Sequence, residues 1–176
     1  MNNIEPNDDY IIELPDIQWD KDSVISYIYE QKHLWNNTGW FFVPTKNHPV
    51  FHNLLRQLKP LNVLITKSGF GRADPWGSIP PHTDPGKDAC IFFPLIGDWE
   101  NSPIIFNQDN IESTDKKYAV CSHVYTCPTV VNTSKIHYVE NNSNQERITF
   151  SFSFFGLNWN QTRSIIKEKY LGKQHV

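Results

Sequence analysis

A chain of 176 residues is long enough to bury a core and short enough to form one domain. Its 16 Lys and Arg against 19 Asp and Glu leave a net charge of −3, which argues against a module that grips a nucleic-acid backbone. Cys90, Cys121 and Cys127 are odd in number and contain no C-x-x-C pair, so neither a disulfide framework nor a zinc site is expected.

The first residues, Met1 to Asp9, are polar and acidic without an apolar stretch, and no apolar run approaches a membrane span. The expectation is a cytoplasmic protein with reduced thiols and no membrane partner, in which the N-x-S/T sequons are chance matches. Residues 10–14 read as a short strand closed by Pro15. Residues 22–35 read as a helix capped by Asp20 or Asp22, with an apolar stripe at Val24, Ile28 and Trp35. Trp40 to Val43 reads as a strand, and Pro49 to Leu58 as a second helix with proline in its first turn. Asn62 to Thr66 reads as a strand. Residues 67–81, rich in Gly, Pro and Ser, read as a loop, and the part from Ser68 to Ile79 is either a substrate lid or a structural surface loop. The apolar run Ala89 to Leu95 reads as a buried strand. Further strands are expected at 103–107, 118–126, 129–132 and 135–140, and a short helix at 159–171.

Residues 147–155 carry the clearest pattern. Arg147, Thr149, Ser151 and Ser153 alternate with Ile148, Phe150, Phe152 and Phe154. A half-exposed strand would turn its polar face to water. The alternative, favoured here, is a strand that lines a hydrated pocket with Arg147 and Thr149 and packs its Phe face against the two upstream helices. Helices first and many short strands after them suggest a mainly β (α+β) protein, a sandwich or barrel with helices on one outer face.

His82 and Asp84 are two residues apart after a Pro-Pro pair, so an extended chain aims both to one face. They make two thirds of a 2-His-1-carboxylate iron site. His137, in a strand-like segment far downstream, is the candidate third ligand, and Arg147 follows on the next strand. This ordered set, H-x-D, then His, then Arg-x-Thr, resembles the 2-oxoglutarate- and Fe(II)-dependent dioxygenases. The context Pro-His-Thr-Asp before a buried strand looks like their prolyl- or aspartyl/asparaginyl-hydroxylase-like branches.

The resemblance implies a double-stranded β-helix (a cupin-like jelly roll) with the N-terminal helices packed on one sheet. It implies one dioxygenase domain over 1–176: residues 1–60 as N-terminal support, 61–156 as β-helix core and 157–176 as an extension. It implies that His82, Asp84 and His137 bind Fe(II), and that Arg147, helped by Thr149, holds the distal carboxylate of 2-oxoglutarate. The implied reaction consumes 2-oxoglutarate and O₂ and hydroxylates a C–H bond of a peptide residue or small molecule. A carboxylate at Asp84 disfavours halogenation, whose enzymes leave that place free for halide.

Two other readings use the same residues: a cupin-like metalloenzyme without 2-oxoglutarate, and a non-catalytic jelly-roll binding protein. His48 and His52 share a face of the second helix but have no carboxylate nearby, so a surface or capping role is expected. His123 and Tyr125 either line the pocket or are satisfied core groups. Asn62 and Lys67 flank the first core strand without a decided role.

Overall fold

The structure is a computed structural model and describes residues 8–35, 39–42, 48–59 and 64–171. Its strands are β1 (Ile11–Glu13), β2 (Trp40–Phe42), β3 (Leu64–Ala73), β4 (Ser78–His82), β5 (Ala89–Ile96), β6 (Ile104–Asn107), β7 (Ala119–His123), β8 (Thr129–Val131), β9 (His137–Glu140) and β10 (Arg147–Phe155). They form two antiparallel sheets, one in the order β1-β8-β5-β10-β3-β2 and the other β4-β9-β6-β7. The helices are α1 (Lys21–Glu30), α2 (His52–Leu58) and α3 (Trp159–Ile166). None among the described residues is long and apolar enough to cross a membrane.

Each helix is started by local chemistry. The Asp20 carboxylate accepts from the Ser23 amide at 3.0 Å and fixes the first turn of α1. Pro49 opens a 3₁₀ turn that runs into α2. At α3 the Asn158 and Gln161 side chains each accept from the other's backbone amide, a reciprocal capping box.

Strand β10 lies between β5 and β3 and sorts the interior into two halves. Ile148, Phe150, Phe152 and Phe154 are buried against Val24 and Ile28 of α1, Leu54 and Leu58 of α2, and Trp159 and Ile166 of α3. The Phe51 and Phe150 rings meet at 4.9 Å, and Phe93 and Phe150 at 5.7 Å. Arg147, Thr149, Ser151 and Ser153 point the other way and are buried as well. The alternation in the sequence therefore separates an aromatic core from a polar interior, not a core from water.

Two expectations need correction. Residues 67–81 are not a loop. Strand β3 runs through to Ala73 and β4 begins at Ser78, leaving only a tight turn closed by the Gly77 amide donating to the Asp74 carbonyl at 2.9 Å. The supposed lid is thus a wall strand of one sheet and a tight turn into the other. Gly69 and Gly71 misled because glycine usually marks a turn; here they face Ser151 and Thr149 across the ladder, where absent side chains leave room between the sheets. His48 is the second correction. It precedes the 3₁₀ turn instead of sharing a helix face with His52, and its ring packs on Tyr27 at 4.2 Å. Asn62 lies outside the described residues.

Because Phe150 touches Phe51, Phe70 and Phe93 at once, Phe150→Ala opens a cavity that no single neighbour can fill. The expected loss is about 3–5 kcal/mol of unfolding free energy. Urea denaturation followed by circular dichroism checks it; a loss below about 1 kcal/mol contradicts this packing.

Candidate metal centre and adjoining pocket

Strands β4 and β9 pair antiparallel, and His82 stands directly opposite His137. A register shift between Ile79 and His82, across Pro80 and Pro81, brings the two histidines level. Their rings lie 4.5 Å apart. Asp84 sits just past β4 on a tight turn, Asp84-Pro85-Gly86-Lys87, closed by the Lys87 amide donating to the Asp84 carbonyl at 3.1 Å. Proline then glycine in the central places, with Gly86 at φ 69°, gives the turn its shape. His82 Nε2 and Asp84 Oδ1 are 3.7 Å apart. One donor atom from each of His82, Asp84 and His137 falls within 4.8 Å of the others, a spacing that could hold a metal ion.

The outer nitrogens are set for that task. His82 Nδ1 lies 2.7 Å from the Pro80 carbonyl and His137 Nδ1 lies 2.8 Å from the Lys135 carbonyl. A carbonyl only accepts, so each Nδ1 carries the proton and each Nε2 keeps a free lone pair toward the centre. Burial, and then the neighbouring His82, push His137 down to about 4, so it is a neutral imidazole at physiological pH. Behind Asp84, the Cys90 thiol donates to Oδ2 at 3.8 Å. Burial and then the Asp84 charge push that thiol up to about 11, so it stays protonated. Two neutral imidazoles and one carboxylate on one side of an ion are the donor set of non-haem Fe(II). The side chains fit such an ion.

A cavity of about 370 Å³ adjoins the triad and runs between the sheets. Ile79, Pro80, Phe92, Ile104 and Val139 make its apolar walls, and Gly39 and Gly71 leave space on the side of β3. Arg147, Thr149 and Tyr125 line it too. Arg147 is only 2% exposed. Its Nε donates to the Ser102 carbonyl at 3.1 Å, and its guanidinium carbon lies 5.3 Å from the Trp99 ring and 5.4 Å from the Tyr125 ring. No carboxylate among the described residues pairs with it. Burial works against its charge, yet a guanidinium does not give up its proton. A buried, unpaired cation in a cavity wall is a site for an anion. The buried Tyr125 hydroxyl interacts with the guanidinium, and burial raises its pKa, so it keeps a proton to donate.

The sequence left Tyr125 between pocket and core; the structure puts it in the pocket. It separates His123 from that role. His123 lies 3.3 Å from the Thr129 hydroxyl and 3.9 Å from the Glu13 carboxylate, away from the cavity. Lys87 lines the cavity and was not singled out by the sequence; only its place in the turn after the H-x-D pair could have pointed to it.

No family model matches the chain, and no curated protein matches it. Solved structures do. A Pseudomonas putida prolyl-4-hydroxylase superposes with a TM-score of 0.57 at 10% identity, over 82% of this chain and 91% of its own. A viral collagen prolyl hydroxylase from Paramecium Bursaria Chlorella virus-1, solved as a 2-oxoglutarate complex, gives 0.59 at 12% identity over 85% and 97%. HygX from Streptomyces hygroscopicus, with nickel and 2-oxoglutarate bound, gives 0.59 at 11% identity over 82% of each chain. The fold is that of the 2-oxoglutarate/Fe(II) oxygenases, the double-stranded β-helix. At such identities the likeness carries the architecture, and the roles of individual side chains rest on the geometry above.

The depressed His137 gives the metal-free protein an acid liability. Folded His137 takes up its proton only near pH 4, whereas the unfolded histidine does so near 6.5. The unfolded state therefore binds more protons between those values, and stability falls as pH drops through them. Denaturation of metal-free protein across this range should show the loss, and His137→Gln should flatten it. An unchanged slope in that variant places the liability elsewhere.

Proposed function

We propose that the protein is a non-haem Fe(II)- and 2-oxoglutarate-dependent oxygenase that hydroxylates an unactivated C–H bond of a peptide residue or small molecule. The observation that carries this reading is the combination, in one cavity, of the His82–Asp84–His137 donor set with a buried Arg147 that has no carboxylate partner among the described residues. A cupin-like metal site explains the triad but gives no reason to bury a guanidinium beside it. A 2-oxoacid with a second carboxylate supplies the reason.

On this reading Nε2 of His82, Nε2 of His137 and the Asp84 carboxylate hold the metal. When bound, Fe(II) with 2-oxoglutarate and O₂ supplies the oxidising power: one oxygen atom enters the substrate C–H and the other enters succinate as CO₂ leaves. The chain's own groups do the rest. The Arg147 fork binds the distal carboxylate of 2-oxoglutarate, and the Ser102 carbonyl with the Trp99 and Tyr125 rings fixes the direction of that fork. On the same reading the hydroxyls of Tyr125 and Thr149, which line the cavity, donate to that carboxylate. The apolar walls at Ile79, Phe92, Ile104 and Val139 keep bulk water from the reacting centre. The side chain of His82 is 38% exposed and that of Asp84 20%, so the centre is open on the side where a substrate can approach.

The test is a screen of peptide and small-molecule substrates for stimulated succinate formation, with mass spectrometry for a gain of one oxygen. Turnover should need both Fe(II) and 2-oxoglutarate, and Asp84→Ala or His137→Ala should abolish it. Arg147→Ala should raise the 2-oxoglutarate KM at least ~30-fold, because a buried charge-assisted pair contributes about 2–5 kcal/mol. Tyr125→Phe should raise it about fivefold, the effect of one hydrogen bond of about 1 kcal/mol. Turnover without 2-oxoglutarate, indifferent to Arg147→Ala, points instead to a cupin-like enzyme. Absence of Fe(II) or Mn(II) binding by calorimetry points to a non-catalytic jelly roll.

A further inference from the structure

We propose that Thr133 is a positioning residue that locks the Asp84 carboxylate and the His137 imidazole into one register, so that two ligands from distant parts of the chain form a single centre. The inference rests on reading His82, Asp84 and His137 as metal ligands.

Asp84 needs such a lock. His82 and His137 are held as partners in one sheet ladder, but Asp84 lies beyond the end of β4, on a turn with no ladder of its own. Thr133 grips that turn at three points. The Asp84 amide donates to the Thr133 carbonyl at 2.9 Å, the Thr133 amide donates to the Asp88 carbonyl at 3.1 Å, and the Thr133 hydroxyl donates to the Lys87 carbonyl at 3.0 Å. Thr133 has no solvent exposure, so its own end of each bond is shielded from competing water. Its hydroxyl also lies 3.8 Å from the Cys90 thiol, the group that donates to Asp84 Oδ2.

The same few residues aim His137. The segment 132–136 links β8 to β9, and its Lys135 carbonyl accepts the His137 Nδ1 proton. The segment is pinned independently. The Asn132 side chain donates to the Asp9 carbonyl at 2.9 Å, the Ser134 hydroxyl to the Asn132 side chain at 2.6 Å, and the Asn107 amide to the Ile136 carbonyl at 3.0 Å. A firm β8–β9 connection thus orients one ligand through Lys135 and holds the turn of the other through Thr133. Partners of this kind, one step removed from the ion, set affinity by fixing the ligand geometry.

The experiment compares wild type with Thr133→Ser, Thr133→Ala and Thr133→Val. It measures Mn(II) affinity by calorimetry, the visible spectrum of the Co(II)-loaded protein, and the melting temperature of each metal-free form. Thr133→Ser, which keeps the hydroxyl, should bind Mn(II) like wild type. Thr133→Ala and Thr133→Val should bind about 10- to 100-fold more weakly and shift the Co(II) bands, at temperatures where all remain folded. If Thr133→Val does not fold, the Ser and Ala variants still decide, since they differ by one oxygen atom. Equal Mn(II) affinity and identical Co(II) spectra in Ser and Ala overturn the positioning role, whatever happens to the melting temperatures. A wild type that binds no Mn(II) or Co(II) overturns the metal reading and this inference with it.

Discussion

From Arg147 to Phe154 strand β10 has no face in water, and most of the architecture follows from that. Its Phe face must be covered, and α1, α2 and α3 supply Ile28, Leu54 and Ile166 to do so. Its other face carries Arg147, Thr149, Ser151 and Ser153, which cannot be packed as oil. The second sheet closes over that polar face without filling it. Ser153 finds the Cys90 thiol at 3.5 Å; Arg147 finds a carbonyl and two aromatic rings but no anion. The cavity exists because one strand was built to be buried twice, with opposite chemistry on its two sides.

The metal centre solves a different problem, that of bringing unlike pieces of chain to one point. Paired strands give the two histidines a fixed separation, and a carbonyl two residues before each, Pro80 for His82 and Lys135 for His137, selects its tautomer. The repetition is a local device: each imidazole folds back to the main chain just before it. A carboxylate has no such device, which is why Asp84 depends on a turn, a buried thiol and a segment much further along the chain.

Much of this was legible in the sequence because the relevant periods are short. The alternation in 147–155 is a property of extended chain, and extended chain is what the structure shows there; of the H-x-D pair, His82 ends β4 and Asp84 lies just beyond it. The Pro-Gly dipeptide after Asp84 announced its turn. The region 67–81 was misread because glycine has two uses. It permits turns, and it also clears space in a strand; only the register with Thr149 and Ser151 tells them apart. Tyr125 was undecided for a related reason. After β7 ends at His123 the chain leaves the strand, so a shared face in the sequence no longer means a shared environment. Thr133 and Cys90 were invisible as a pair, since their meeting depends on how β5 and the β8–β9 connection pack, not on any local pattern.

Charge ties the cavity together on the proposed reading. The Asp84 carboxylate and the Arg147 guanidinium line one cavity, and among the described residues no ion pair joins them. A divalent ion beside Asp84 leaves that end positive, and Arg147 is positive already. A dicarboxylate that reaches from one to the other neutralises both ends in a single binding event. Its affinity then depends on the metal being present, and the metal's retention depends on the dicarboxylate, because each removes the other's uncompensated charge from a poorly hydrated space. The shared cavity that holds both charged groups is therefore as much a part of the site as the ligands themselves.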